Sequence, residues 1–343
     1  MEEIRLTSFS SYGGCGAKLP AEHLDALLSA ICGGKTEGST GSTGLETLDD
    51  AAIYKIGGMT LLLTADFFTP IVDDPYTFGQ IVAANAMNDI YAMGGTPLTI
   101  LNLMEFPADQ LNAEILTKIV KGGQDKALEA GARIVGGHTL RGSELKYGMA
   151  VLGSVESKDL CRNCTARAGD RLILTKPLGV GIIATAIKQG LASQKAIKTA
   201  CRYMTQLNDK ACSIMRETGV NACTDITGFG FIGHSLEMAR GSSVGMKIEV
   251  DAIPYLKEAA ELAEEMRITC LNRDYFSRHV DLLKKPSKIM LDLLYDPQTS
   301  GGLLISVSSK KADVLLNKMR EQGVEAELIG NVVESPKGRL VLF

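Results

Sequence analysis

The order of the apolar segments constrains this chain most. Strand-length runs and helical repeats alternate in two successive series, parted by a polar stretch at residues 156–170. In the first series residues 51–54, 59–65, 99–103, 133–135 and 147–155 read as strands, and residues 20–31, 78–93 and 111–130 as helices. Gly94-Gly95 ends one of those helices, and Gly136-Gly137 is read as stopping a short strand. The second series sets strands at 171–175, 222–224, 248–250, 303–307, 326–332 and 340–343 among helices at 182–190, 195–218, 255–265 and 310–322. Residues 33–44, rich in Gly, Ser and Thr, read as a loop. The pattern predicts an α/β chain of the α+β type in two domains, residues 19–156 and 157–343, after a mobile glycine-rich segment at 1–18. With 343 residues the chain can bury roughly three quarters of its unfolded surface, so its core needs no staples.

Charge and composition remove several functions. Lys and Arg number 36 against 40 Asp and Glu, a formal charge of −4, so no broad basic field steers the chain to nucleic acid. The start, MEEIRL, lacks the profile of a signal peptide, and no run of 18 apolar residues marks a membrane span. Eight scattered cysteines do not make a disulfide scaffold, which points to a reducing compartment, the cytoplasm. The chain has no Trp and few aromatic residues, which disfavours platforms for stacked bases or sugars. An enzyme acting on a small or phosphorylated substrate fits better.

Asp50, Asp66, Asp89 and Asp225 stand within or beside apolar segments, where unpaired carboxylates are costly. A shared divalent cation would relieve that cost; alternatively Asp50 and Asp66 are turn residues and Asp89 a solvated helix position. Asn85 and Asp89, four residues apart, share a helix face. Gly136-Gly137-His138-Thr139 and Thr227-Gly228-Phe229-Gly230 could turn backbone amides toward phosphate, although neither is a specific motif. Gly34-Lys35-Thr36 lacks the upstream glycine of a phosphate-binding loop, since Ser29 occupies that place. Cys15, between two glycines, offers an accessible sulfur, and Lys18 could favour its thiolate or neutralise phosphate; a spare surface thiol is the plain alternative. Cys161 and Cys164 have the spacing of two zinc ligands or a redox pair but no second pair, so they read as structural. The four histidines form no hydrolytic motif, and His234 reads as a helix-surface or local hydrogen-bonding residue.

Taken together, several segments are far more specific than any one of them. They are Gly14-Cys15-Gly16-Ala17-Lys18, Asp49-Asp50-Ala51-Ala52, the stretch 64–75, the stretch 85–95, Gly136-Gly137-His138-Thr139, Thr224-Asp225-Ile226-Thr227-Gly228-Phe229-Gly230 and Asp296-Pro297-Gln298-Thr299-Ser300-Gly301-Gly302. Along essentially its whole length the chain resembles the selenophosphate synthetases, or selenide, water dikinases, within the aminoimidazole ribonucleotide synthetase-like superfamily. That resemblance implies conversion of ATP, selenide and water to selenophosphate, AMP and orthophosphate, with Mg2+ and with K+ as activator. It implies Cys15 and Lys18 as catalytic residues in an active-site segment at 1–18, and Asp50, Asp66, Asp89 and Asp225 as metal ligands. Lys18, Asp50, Asp66, Asn85, Asp89, Gly137, His138 and Thr139 then border the nucleotide. The family often has a second cysteine where this chain has Ala17, which argues against a required disulfide there. The resemblance further implies an ATP- and metal-binding N-terminal domain that dimerises through a barrel-like sheet interface. The expected partners are a second copy of the chain and selenide or a selenium-delivery protein, with no nucleic acid or membrane. The alternatives are another ATP-dependent member of the superfamily with a different acceptor, or a non-catalytic selenium- or nucleotide-binding protein.

Overall fold

The computed structural model describes residues 5–10, 13–32, 42–43, 49–266, 268 and 270–343, so most of the loop expected at 33–44 lies outside the described residues. The first half carries a six-stranded sheet of β1 (Ser42–Thr43), β2 (Ala52–Ile56), β3 (Met59–Phe68), β4 (Thr96–Phe106), β5 (Arg133–Arg141) and β6 (Lys146–Val155). Its spatial order is β1-β2-β3-β6-β4-β5, antiparallel except for the β4–β5 pair. The second half carries β7 (Asp170–Leu174), β8 (Ala222–Asp225), β9 (Gly245–Ile248), β10 (Val280–Leu282), β11 (Leu303–Ser308), β12 (Glu327–Val333) and β13 (Leu340–Leu342), ordered β10-β13-β9-β12-β7-β11-β8. Neither sheet closes on itself.

The helices that position the site are α1 (Ala21–Cys32), α2 (Pro75–Ala92), α3 (Ala113–Glu129), α4 (Val180–Gln189), α5 (Gln194–Thr205), α6 (Asp209–Thr218) and α7 (Gly230–Gly241). Helix α2 starts where Pro75 presets the first turn and the Asp74 carboxylate accepts from the Thr77 amide at 2.7 Å. Its small and apolar residues are buried nearly all round, as expected of a helix enclosed by protein. It packs on the first sheet and α3 and also touches α5, α6 and β8, so it joins the two halves.

Two expectations change on inspection. Strand β5 continues through Gly136-Gly137 to Arg141 instead of stopping there. Without a side chain Gly137 lies close on β4; a Cβ there would be 2.2 Å from the Asn102 carbonyl oxygen. The single helix expected at 195–218 is two, α5 and α6, parted where Gln206 turns extended.

The covered face of the first sheet carries Leu62, Phe68 and Ile100. The opposite face presents Tyr54, Ile56, Met59, Leu63, Phe67 and Leu101, all exposed. At the N-terminal end, Arg5 donates to the Ile187 carbonyl at 2.6 Å, the Thr7 amide donates to Asp73 at 2.9 Å, and Leu6 is buried. Helix α1 is tied to the second half, the Ala21 amide donating to Asn272 Oδ1 at 2.9 Å. Residues 13–20 therefore run between two anchored segments.

Candidate active site

Three carboxylates from distant parts of the chain converge. Asp50 precedes β2, Asp89 lies on α2 and Asp225 ends β8, and one oxygen of each lies within 4.8 Å of the others. Thr224 Oγ1 donates to Asp50 Oδ1 at 2.7 Å, Thr64 Oγ1 donates to Asp89, and Asn88 lends Asp225 a hydrogen bond. Asp50 Oδ2 and Asp225 Oδ2 are nonetheless buried without a hydrogen-bond partner among the described residues. Burial pushes the Asp225 carboxyl up to about 6 against the opposing fields of His234 and Lys18. Burial and the neighbouring Asp225 charge push Asp50 and Asp89 well above the usual carboxylate range. Crowded carboxylates with orphaned oxygens form an all-oxygen donor set, which fits a hard divalent cation such as Mg2+.

Asp66 lies inside β3 rather than after it. Asn85 Nδ2 donates to its Oδ2 at 2.8 Å, and Lys18 Nζ stands 3.9 Å from its Oδ1. Its charge reaches both Asp89 and Asp225, although it is not one of the converging three. Asn85 and Asp89, one helical turn apart on α2, thus serve neighbouring carboxylate positions.

Gly14-Cys15-Gly16-Ala17 forms a 3-10 turn whose first amide donates to the Thr69 carbonyl at 3.3 Å. A Cβ on Gly14 would lie 2.7 Å from Thr299 Oγ1, and one on Gly16 3.8 Å from Pro297, so the turn rests on the loop 296–302. The backbone thereby brings Cys15 within three residues of the Lys18–Asp66 pair; its side chain lies outside the described ones.

Gly137, His138 and Thr139 are on the outer strand of the first sheet and are exposed. The register runs Asp66 to Met149 to Asn102 to Gly137, three strand spacings or roughly 14 Å. Gly137 and Thr139 share the Asp66 side of the sheet, whereas His138 shares the exposed apolar side. One chain therefore does not bring them to the carboxylates.

Several contributors escaped the sequence reading. Thr64 and Thr224 escaped it, although each stands one or two positions before an aspartate in a strand. Asn88 escaped as well, its only signal being one more amide, after Gln80 and Asn85, on a largely apolar helix. Of the two readings of His234 the local hydrogen-bonding one holds, and it is buried rather than on the helix surface: its Nε2 accepts from the Phe229 amide at 3.3 Å and its Nδ1 faces Glu237 at 2.9 Å, fixing the turn after Asp225. Cys161 is buried and Cys164 half-buried in a segment held by Asp49, which accepts from Arg162 Nε at 2.8 Å. Among the described residues neither joins a metal-ligating group.

Residues 48–155 match the family model described as AIR synthase related protein, N-terminal domain, and residues 167–343 match its C-terminal counterpart. The chain is 45% identical to the selenide, water dikinase of Geobacter metallireducens over 99% of both chains. It is 44% identical to that of Clostridioides difficile, covering 98% of this chain and 97% of that one. The chain belongs to the selenide, water dikinase family. Thiamine monophosphate kinase from Aquifex aeolicus shares the fold with a TM-score of 0.69 at 16% identity, over 94% of this chain and 98% of that one. Hydrogenase maturation protein HypE in complex with ATP does so with a TM-score of 0.63 at 22% identity, over 87% and 85%. At these identities the likeness to the two structures is one of fold. As a member of the dikinase family the chain is a phosphotransferase enzyme, and among its described residues no helix is long and apolar enough to cross a membrane.

Proposed function

We propose that the Asp50–Asp89–Asp225 cluster, Asp66, Lys18 and the Gly14–Ala17 turn form the site where ATP, selenide and water become selenophosphate, AMP and orthophosphate. The reaction breaks two P–O bonds of ATP, forms one Se–P bond and consumes one water. The observation that carries this reading is the convergence of carboxylates from both halves, with two buried oxygens that lack partners among the described residues. Asp50, Asp89 and Asp225, with Asp66 beside them, would hold two or more Mg2+ ions. Bound Mg2+ neutralises phosphate charge and aligns the oxygens for displacement.

The protein's own groups do the rest. The half-exposed Lys18 ammonium is placed to leave Asp66 for a phosphoryl oxygen. Cys15, on a turn that rests on the 296–302 loop, receives and orients selenide. Holding acceptor and phosphate together supplies much of the rate, because phosphoryl transfer depends on positioning more than on a strong base. The exposed apolar face of the first sheet supports a homodimer in which two such sheets pack into a barrel-like core. Asn85, Gly137, His138 and Thr139 then border a nucleotide site beside that interface. K+ is expected to activate turnover. Free selenide or a delivery protein supplies the acceptor, and selenide chemistry together with six unpaired described cysteines supports a cytoplasmic setting.

Anaerobic phosphorus NMR with ATP, Mg2+, K+ and selenide tests the reading. Selenophosphate with AMP and orthophosphate is the expected outcome. ADP as the final product, or ATP that persists with folded protein, would contradict it.

A further inference from the structure

Lys176 is a buried amine that this chemistry does not touch. It is 2% exposed, and its Nζ donates to the carbonyl oxygens of Tyr203 at 3.2 Å, Gln206 at 2.7 Å and Ser300 at 3.0 Å. Two of these acceptors lie at the C-terminal end of α5, where carbonyls have no partner within the helix. The ammonium thus closes α5 and holds the extended Gln206 that separates it from α6.

The third acceptor leads to the carboxylates. Ser300, with φ +51°, is one of two described non-glycine residues with positive φ. That conformation is strained for a residue with a Cβ and persists where neighbours over-determine it. Lys176 holds the Ser300 carbonyl, while the Ser300 amide donates to Asn85 Oδ1 at 2.8 Å. Asn85 in turn donates to Asp66. The Gly301 carbonyl accepts from Asn208 Nδ2 at 2.9 Å and Asn88 Nδ2 at 3.4 Å, and Asn88 serves Asp225. Among the described residues no carboxylate forms an ion pair with Lys176; burial pulls its ammonium down to about 7, against the field of Asp225, which favours its charge. A methionine would fill the same space but leave the Tyr203, Gln206 and Ser300 carbonyls without their donor.

We propose that Lys176 is a positioning residue of the phosphotransfer site, fixing the Ser300–Gly301 backbone so that Asn85 and Asn88 present their amides to Asp66 and Asp225. The proposal rests on the reading of those aspartates as metal-site residues.

Lys176→Met keeps the volume and removes the donor. In metal-free protein labelled with 15N-asparagine, the side-chain amide signals of Asn85 and Asn88 should shift. Mn2+ affinity, read by electron paramagnetic resonance, should fall about fivefold, and kcat about tenfold with KM for ATP nearly unchanged. A cavity of about 310 Å³ is lined by Thr175, the residue before Lys176, and by Gln206, one of its acceptors, together with Asn208 and Lys126. Methylammonium, but not tetramethylammonium, should therefore restore part of the activity of Lys176→Ala. Folded Lys176→Met with unchanged amide signals and unchanged Mn2+ affinity would overturn the proposal. If Lys176→Ala does not fold, the methionine variant still decides. If the wild type binds Mn2+ yet forms no selenophosphate, the functional reading fails while the amide and Mn2+ readouts still judge Lys176.

Discussion

Asp225 and Asp296 are both buried aspartates at the end of a regular element, yet their surroundings differ. Asp296 Oδ2 accepts from the Gly181 amide at 3.0 Å, the Ile182 amide at 3.1 Å and Gln298 Nε2 at 2.7 Å, so it plugs the N-terminus of α4. Among the described residues Asp225 keeps one buried oxygen without a partner, and it faces two other carboxylates. Burial raises both, Asp296 to about 7 and Asp225 to about 6. The chain thus satisfies with its own amides the carboxylate that holds the fold, and leaves unsatisfied those proposed to take a cation. Substitutions at the two positions should consequently diverge.

The largest divergence is in turnover. Asp225→Asn should lower kcat by roughly a hundredfold or more at saturating Mg2+, since it removes charge that a metal and phosphate require. A variant with full rate and an unchanged Mg2+ response would remove Asp225 from the metal site. Asp296→Ala should instead lower unfolding stability by about 2–3 kcal/mol, because it leaves the Gly181 and Ile182 amides and Gln298 Nε2 without their acceptor inside a buried network. Denaturant titration checks this, and an unchanged midpoint would break the contrast.

A smaller effect has the opposite sign. In metal-free protein the folded state holds the Asp225 proton more tightly than the unfolded chain, whose carboxyl titrates near 3.8. Ionisation there costs stability as pH rises from about 4 through 6, and the cost is present in full above that window. Metal-free Asp225→Asn should therefore be more stable than the wild type at pH 7.5 by about 1–2 kcal/mol, with the gain vanishing below pH 4. Thermal melts across that range measure it. The smallest effect concerns affinity: protons compete with the cation, so Mn2+ binding at pH 5.5 should be several-fold weaker than at pH 7.5. Equal affinity at both values would mean that the raised carboxyls are not the ligands.

Much of this contrast was legible in the sequence, because carboxylates within apolar runs are conspicuous and their spacing on strand and helix is readable. Asp66 and Asp89 were found that way. The supporting shell was not, since Thr64, Thr224 and Asn88 are ordinary residues until the fold turns them toward an aspartate. Gly136-Gly137 was misread as punctuation because local rules do not show that β4 would come close enough to require glycine. The break between α5 and α6 carries no proline or glycine; it follows from the Lys176 contact, across 27 and 30 residues of chain. The short elements Val280–Leu282 and Lys288–Tyr295 also escaped, being too brief for periodicity to declare them.

The central claim is that carboxylates from both halves share a cation. Crystals grown with Mn2+ and measured near the manganese absorption edge test it most directly. The account predicts an anomalous peak among Asp50, Asp89 and Asp225. A map with no peak there, from crystals whose solution counterpart binds Mn2+, would contradict it.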